Sequence, residues 1–172
     1  MEMTLQWVPA TVRPDLLADP VARAVADLEG VEVAEIDPEL ADTAAFCERY
    51  GVSLDESANC VVVAAKRGGE TRYAACMVLA TMRVDVNGVV RRHLDARKAS
   101  FAPMADAVER TGMEYGGITP LGLPEEWPVL VDTRVAEQPR VVIGSGVRRS
   151  KLAVSGATLA GLKKAEVLSL AG

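Results

Sequence analysis

The eleven residues Gly112–Gly122, with the sequence GMEYGGITPLG, concentrate four glycines and one proline between two regular segments. Gly116 and Gly117 can adopt positive φ angles and allow another molecule to approach the main chain. Pro120 fixes its own φ and favours an extended conformation at Thr119. Such a loop can direct amide N–H groups outward, where they bind an anion or polarise an ester carbonyl. The alternative interpretation is a tight connection between a helix and a strand.

The loop is part of a longer ordered pattern. Its TGxxxGGxxPxG motif begins at Thr111 and ends at Gly122, and a hydrophobic run follows that ends in Asp132. The segments LADTAAFCERYGV, ARKASFAPM and VVIGSGVRRSKLAV flank this motif. Together they resemble the YbaK/EbsC family, which with the editing domain of prolyl-tRNA synthetase comprises trans-acting aminoacyl-tRNA deacylases. The resemblance spans roughly residues 40–172.

The resemblance implies hydrolysis of the ester that joins an amino acid to the ribose of a mischarged tRNA. Such an enzyme must stabilise an oxyanion, position a water and discriminate the amino-acid side chain. The resemblance assigns the first task to a catalytic loop of Gly116, Gly117, Ile118, Thr119 and Pro120. The Thr119 hydroxyl either contacts the substrate or satisfies the backbone of its own loop. The implied partner is the acceptor end of aminoacyl-tRNA, with an aminoacyl-tRNA synthetase as a second candidate, and no cofactor or metal is expected.

Five further residues are predicted to bind the substrate: Asn59, Cys60, Tyr115, Asp132 and Gly144. Tyr115 is placed to stack on the terminal adenine, or else it covers the core. Asp132 ends an apolar strand, where a carboxylate is costly without partners. It therefore accepts hydrogen bonds from the glycine loop or from the α-amino group of the substrate, or it braces the loop.

One position departs from the family. Relatives place a lysine at the start of the central strand, tied to substrate phosphate and to activity, whereas this chain has Cys60 in the segment ANCVVVA. A thiol carries no fixed positive charge and is little ionised at neutral pH. Three explanations stay open: Arg97 and Lys98 supply the phosphate contacts, Cys60 contacts or attacks the substrate, or the protein binds without catalysing. A lone cysteine at a strand start is more often a small core residue.

Two basic clusters are predicted to bind tRNA: Arg91, Arg92, Arg97 and Lys98, and then Arg148, Arg149 and Lys151. Arginine and lysine bind phosphate without reading sequence, so they identify neither the tRNA nor the amino acid. The formal net charge of −5 conceals an uneven distribution. Residues 1–58 hold 13 acidic and 3 basic side chains, whereas residues 59–172 hold 11 and 16. This favours a phosphate-binding face, although ordinary solvated surface is the alternative.

Composition limits the remaining possibilities. A chain of 172 residues suits one domain, and its 49% hydrophobic residues include seven aromatics, so Val, Leu and Ala must fill the core. Cys47, Cys60 and Cys76 show no metal-binding spacing, and His93 is the sole histidine, so structural disulfides and zinc are not expected. The sequence has no apolar run of membrane-spanning length and no signal-peptide pattern at its start, which predicts a soluble cytoplasmic protein.

Hydrophobic periodicity predicts the elements that must position these residues. Helices are expected over Pro14–Gly30, Asp42–Tyr50, a segment after Asp85–Asn87 that carries Val89, Val90 and Leu94, Pro103–Gly112 and a turn at Thr158–Leu162. Strands are expected near Leu5–Val8, at Val31–Ile36, from Cys60 to a turn at Arg67–Glu70 with an antiparallel return, and at Trp127–Asp132, Arg140–Gly146, Lys151–Val154 and AEVLSL.

This alternation predicts one compact α+β domain over residues 1–172, with a helical part at about 13–51 and a sheet core at about 59–172. The resemblance implies a strongly twisted, mixed, largely antiparallel β-sheet flanked by helices. The leading hypothesis is a freestanding aminoacyl-tRNA deacylase-like protein. The alternatives are a non-catalytic tRNA-binding or regulatory relative that has lost the lysine, and a protein-binding scaffold. The sequence does not indicate the oligomeric state.

Overall fold

The strands form two sheets. The computed structural model describes residues 4–171. The strands of this part are β1 (Val8–Pro9), β2 (Glu32–Glu35), β3 (Ala58–Arg67), β4 (Glu70–Leu79), β5 (Lys98–Phe101), β6 (Val129–Asp132), β7 (Val141–Gly144), β8 (Ser150–Val154) and β9 (Ala165–Leu168). One sheet has the order β1-β2-β8-β7 and the other has the order β5-β3-β4-β6-β9. A β-bridge between Ser57 and Val142 connects the two sheets.

The long hairpin of β3 and β4 lies at the middle of the five-stranded sheet, as predicted. The hairpin turns at Gly68 and Gly69, whose φ angles of +59° and +81° match the two-residue turn that suits the twist of paired strands. On the far side of β4, the strands β6 and β9 run parallel to it. The first sheet is antiparallel throughout, so the fold is largely antiparallel, and the predicted α+β class is confirmed.

The helices of residues 4–171 are short: α1 (Asp19–Val25), α2 (Thr43–Tyr50), α3 (Arg91–His93), α4 (Met104–Thr111), α5 (Thr133–Ala136) and α6 (Gly156–Ala160). The predicted bounds of α2 and α4 are confirmed, and both helices end at a glycine. The predicted helix over Pro14–Gly30 is wrong in length, because only a 3-10 turn at Pro14–Leu16 and α1 form there. Pro20 lacks an N–H group, so it fits only in the first turn of a helix.

The main hydrophobic core lies between the two sheets. It joins Val33, Ile143 and Leu152 of the first sheet to Met77 and Val131 of the second. The opposite face of the second sheet is buried against the segment that leads into α3. The strands β3 and β4 are therefore apolar on both faces, which explains why their sequences do not alternate.

The structure corrects several expectations. Two sheets replace the one expected sheet, and neither β5 nor α5 was predicted. The expected strand near Leu5–Val8 lies at Val8–Pro9. The assignment of residues 1–172 to one domain with these two parts stays a prediction. None of the helices in the described range is long and apolar enough to cross a membrane.

Asp132 has a structural role. Its side chain is buried, and one carboxylate oxygen accepts a hydrogen bond from the Arg134 N–H (2.9 Å) at the start of α5. The other oxygen accepts from the Leu170 N–H (2.8 Å). Both oxygens are therefore used within the fold, and the prediction that Asp132 binds the substrate or braces the glycine loop is wrong.

We expect Asp132→Ala to lower the free energy of unfolding by about 2–4 kcal/mol, because it removes a helix cap and leaves the buried Leu170 N–H without an acceptor. Chemical denaturation at pH 7 measures this change. Glu109→Ala, which removes an exposed carboxylate on α4, is the matched control and should change the value by less than about 0.5 kcal/mol. Equal effects of the two substitutions would contradict the role of Asp132 as the cap of α5 and the acceptor for Leu170.

Candidate active site

Seven of the 17 predicted site residues line one open cavity of about 330 Å³ at the junction of the two sheets. Its walls come from the start of α2, the start of β3, the glycine loop and the paired ends of β7 and β8: Ala41–Thr43, Ala58–Val61, Tyr115, Gly116, Ile118, Gly144 and Lys151. A larger concavity of about 540 Å³ beside β2 contains none of the predicted site residues. The junction cavity is therefore the candidate active site.

Backbone hydrogen bonds attach the glycine loop to the connection between β7 and β8. The Glu114 N–H donates to the Gly146 carbonyl (2.8 Å), and the Gly146 N–H donates to the Gly117 carbonyl (2.6 Å). The Arg148 N–H donates to the Glu114 carboxylate (2.7 Å). These bonds hold the loop against the first sheet at the edge of the cavity.

The two chain segments approach so closely that two of the glycines cannot be replaced without displacement. A Cβ atom on Gly144 would lie 2.6 Å from the Gly117 carbonyl oxygen and 2.8 Å from that of Ile118. A Cβ atom on Gly117 would lie 2.8 Å from the Val147 carbonyl oxygen. Real Cβ atoms do not approach backbone atoms so closely, so these glycines set the position of the loop.

The amides of the loop differ in what they can bind. The Gly117 N–H already donates to the Glu114 carbonyl (2.9 Å), so the prediction that it faces an oxyanion is wrong. Gly116 and Ile118 both line the cavity, and their N–H groups have no acceptor within residues 4–171. Tyr115 is 54% exposed at the same cavity, so it does not cover the core. In the described part of the chain, the N–H groups of Gly116 and Ile118 are therefore without an internal acceptor at this cavity, as is that of Tyr115.

The rest of the predicted catalytic loop faces away. Thr119 is fully buried and does not line the cavity, and its hydroxyl has no hydrogen-bond partner in the described structure. Neither predicted role of this hydroxyl is therefore supported. Pro120 lines a different cavity of about 170 Å³, together with Leu121 and Trp127. Thr119 and Pro120 therefore contribute to the shape of the loop and not to the cavity wall.

The start of β3 forms the opposite wall. The Thr43 hydroxyl donates to the side-chain carbonyl of Asn59 (2.6 Å), which fixes the orientation of that amide. Burial raises the pKa of the neighbouring Cys60 thiol, and the nearby Cys76 raises it further. Cys60 is therefore protonated at neutral pH, which argues against a nucleophilic thiolate.

Lys151 lies in the cavity and not on a surface patch. Its side chain is buried, and Nζ donates to the Ala41 carbonyl (2.7 Å) and lies 5.4 Å from the centre of the Phe46 ring. Burial lowers the pKa of Lys151 from 10.5 to about 8, while Cys47 raises it by a smaller amount and Arg148 lowers it slightly. The Lys151 ammonium and the Asp42 carboxylate are the two charged groups among the residues that line this cavity.

The prediction that Arg148, Arg149 and Lys151 form one basic cluster is wrong, because each side chain has a different hydrogen-bond partner. The Arg148 guanidinium donates to the Tyr115 carbonyl (3.2 Å) and lies 3.8 Å from the Asp42 carboxylate, so it clamps the glycine loop to the start of α2. The Arg149 guanidinium donates to the Asp15 carbonyl (2.5 Å). Arg148 and Arg149 lie in the turn before β8, whereas Lys151 lies within the strand, so their proximity in sequence does not bring the three side chains together.

The other predicted basic cluster does assemble. Arg97 and Lys98 border a concavity of about 390 Å³ at the tip of the β3–β4 hairpin, together with Lys66 and Arg67. Arg67 donates to the Asp95 carbonyl (3.2 Å), which places the end of α3, with Arg91 and Arg92, beside the tip. We call these six residues the hairpin basic cluster.

The hairpin basic cluster is remote from the cavity. Lys66 lies six residues beyond Cys60 on the same strand, a distance of about 20 Å. Arg97 and Lys98 therefore cannot replace the charge that relatives carry at the Cys60 position. Within residues 4–171, no group of three His, Cys, Asp or Glu side chains is placed to hold a metal ion.

The model of the aminoacyl-tRNA editing domain family matches residues 37–162. The chain therefore belongs to this family, which is the YbaK-type family that its sequence resembles.

Solved structures show the same fold. The crystal structure of a candidate trans-editing enzyme for prolyl tRNA synthetase is 20% identical, with a TM-score of 0.77 over 90% of this chain and 96% of that chain. A scaffold protein for epitope backbone grafting has the same identity and TM-score, over 90% and 97% of the two chains. The hypothetical protein APE2540 is also 20% identical, with a TM-score of 0.74 over 83% and 92%.

We expect Lys151→Met to raise the free energy of unfolding by about 1–2 kcal/mol at pH 7. Lowering the pKa from 10.5 to about 8 costs the folded state about 3 kcal/mol, and losing the hydrogen bond to Ala41 offsets about 1 kcal/mol of that gain. The unfolded chain keeps the proton up to pH 10.5, whereas the folded chain releases it near pH 8. The free-energy cost of the buried ammonium in the wild type, relative to Lys151→Met, should therefore disappear as the pH rises from 8 to 10.5.

Chemical denaturation of both proteins at pH 7 and at pH 10 measures the difference. Other groups that titrate in this range are common to both proteins and cancel. A stability difference that does not change between these two pH values would show that the ammonium is not buried at a cost.

Proposed function

We propose that this protein hydrolyses the ester bond of mischarged aminoacyl-tRNA in trans. The observation that carries the proposal is that Gly116 and Ile118 line an open cavity and that their N–H groups have no acceptor within residues 4–171. Membership of the aminoacyl-tRNA editing domain family supports the class of reaction. The amino acid and the tRNA are not identified by this geometry.

The two amides suit the central step of ester hydrolysis. A water attacks the ester carbonyl carbon, and the carbonyl oxygen becomes an oxyanion that accepts hydrogen bonds from the Gly116 and Ile118 N–H groups. The tetrahedral intermediate then collapses, the bond to the ribose oxygen breaks, and that oxygen takes up the proton that the attacking water gives up. Each donor of this kind contributes about 3–4 kcal/mol to the transition state. The neighbouring hydroxyl of the terminal ribose orients the water in this scheme.

The opposite wall suits the amino acid. Asp42 offers a carboxylate at the cavity edge, beside the hydrogen-bonded pair of Thr43 and Asn59, and these groups match an α-ammonium group. Ala58 and Val61 supply apolar surface for the side chain. A cavity of about 330 Å³ limits the size of that side chain, since it must also hold the ester and part of the ribose.

The hairpin basic cluster suits the tRNA backbone. It carries Lys66, Arg67, Arg97 and Lys98 on the hairpin tip, with Arg91 and Arg92 on α3. Because it lies about 20 Å from the cavity, it would contact the acceptor stem and not the terminal nucleotide. Its contacts would be with phosphate and would carry little sequence information.

Deacylation tests the proposal directly. We expect the wild type to release the amino acid from at least one member of a panel of mischarged tRNAs. Gly144→Ala should lower kcat by about a hundredfold, because its Cβ displaces the Gly117 and Ile118 carbonyls and with them the adjacent amides. Gly161→Ala is the matched control, since its Cβ would lie 3.3 Å from the Ala157 carbonyl oxygen on a remote helix end. This variant should keep full activity.

Assays at a temperature where circular dichroism shows both variants folded separate catalysis from stability. Tight binding of tRNA without release would favour a non-catalytic relative, which the replacement of the family lysine by Cys60 also suggests. If the protein neither binds tRNA nor releases amino acid across the panel, the remaining hypothesis is the protein-binding scaffold.

A second measurement concerns the hairpin basic cluster. We expect Arg97→Ala with Lys98→Ala to weaken tRNA binding and to reduce the slope of log Kd against log salt by about 1.5, since two phosphate contacts are lost. Arg23→Ala with Lys163→Ala is the control, because it removes the same charge from exposed positions away from the hairpin. An unchanged slope in the first pair would exclude the hairpin basic cluster from the tRNA interface.

A further inference from the structure

The Lys151 ammonium is a buried charge with unused hydrogen-bonding capacity. It carries three donors, and the structure accounts for one of them, through the Ala41 carbonyl. The residue is 6% exposed, and it takes part in no ion pair within residues 4–171. Its remaining donors are next to the cavity that Lys151 lines.

Packing does not explain a lysine at this position. The following residues of β8, Leu152 to Val154, are apolar and buried, and an apolar side chain at position 151 would avoid the cost of burying a charge. The Phe46 ring at 5.4 Å compensates for part of this cost. The hydrogen bond to Ala41 and the nearby Asp42 and Cys47 compensate for more of it, yet a net cost remains in the free protein, as expected for a group whose partner is a ligand.

The register of the first sheet places this ammonium beside the catalytic loop. Lys151 pairs with Gly144 across β7 and β8, and Gly144 packs directly under the carbonyls of Gly117 and Ile118. Cys60 lines the same cavity from β3, in the other sheet. A positive charge can therefore reach this space from either sheet.

We propose that Lys151 binds the phosphate that joins the terminal nucleotide of the tRNA to the rest of the strand. This inference rests on the proposed function and names a phosphate-binding residue for it. Near the ester, an aminoacyl-tRNA presents a cationic α-ammonium group, neutral sugar and base, and this phosphate as its permanent anion. The oxyanion forms only during the reaction, and the loop amides donate hydrogen bonds to it. The phosphate is charged throughout binding, so it can offset the free-energy cost of burying the Lys151 ammonium.

The charges that face Lys151 predict a linked proton uptake. The Asp42 carboxylate and the Cys47 thiol raise the pKa of Lys151, Arg148 lowers it, and the Cys60 thiol of the same cavity stays protonated. A bound phosphate adds a negative charge and raises this pKa further. Phosphate binding should therefore weaken as the pH rises above about 8, the value in the free protein.

The test compares paired probes that differ in one phosphate. We expect wild-type protein to hydrolyse 3′-aminoacyl-AMP with a kcat/KM about 10- to 100-fold above that for 3′-aminoacyl-adenosine, mainly through KM. In Lys151→Met the two substrates should become equal within about twofold. Lys163→Met is the control, because it removes an exposed lysine elsewhere and should keep the full preference.

Binding of AMP and of adenosine, measured by calorimetry at pH 7 and pH 9.5, gives a readout that does not require hydrolysis. If the wild type hydrolyses neither ester yet binds AMP more tightly than adenosine through Lys151, the proposed function fails and the phosphate site stands. In the Lys151→Met background, Cys60→Lys should restore the phosphate preference, because it places an ammonium group in the same cavity from the five-stranded sheet.

Two results would overturn the inference. One is a phosphate preference that survives Lys151→Met or is absent from the wild type. The other is a fall in kcat that is equal for both esters, which would place the ammonium on the oxyanion.

Discussion

The close contact between the glycine loop and the connection from β7 to β8 determines the geometry of the whole site. Two backbones touch there because Gly117 and Gly144 lack side chains, and hydrogen bonds through Glu114 and Gly146 hold them together. Within the loop, the Gly117 amide donates to the Glu114 carbonyl, whereas the N–H groups of Gly116 and Ile118, two residues that line the cavity, have no acceptor within residues 4–171. A rigid backbone donor needs no reorganisation when charge develops on a substrate, which is why it is effective in catalysis.

Much of the fold follows from local patterns in the sequence. The glycine pair at the β3–β4 turn and the glycines that end α2 and α4 act within a few residues, so the sequence predicts them well. The division into two sheets is different, because it depends on which strands pair across the chain. The sequence of β2 does not reveal that its partner is β8, more than a hundred residues later. Local periodicity contains no information about such a pairing.

The same distinction applies to the site. The motif predicts the position of the loop, but only the structure shows that Thr119 is buried beneath it and that Asp132 caps a helix elsewhere. The assignment of Lys151 to a surface cluster followed from its proximity in sequence to Arg148 and Arg149. One signal was available, since a lysine that leads into an apolar strand is costly unless something binds it. Proximity in sequence is a poor guide here, because Arg148 and Arg149 lie in the turn before β8 and Lys151 lies in the strand itself.

The junction of the two sheets explains how an editing-type cavity can keep a positive charge after its usual position becomes a cysteine. The cavity wall is not built on one strand: Cys60 enters from the five-stranded sheet and Lys151 from the four-stranded sheet. A ligand phosphate responds to the position of an ammonium group in space and not to the strand that carries it. The absence of the lysine from the β3 segment is therefore weak evidence against activity, because the chemical requirement concerns the cavity and not the position in the motif.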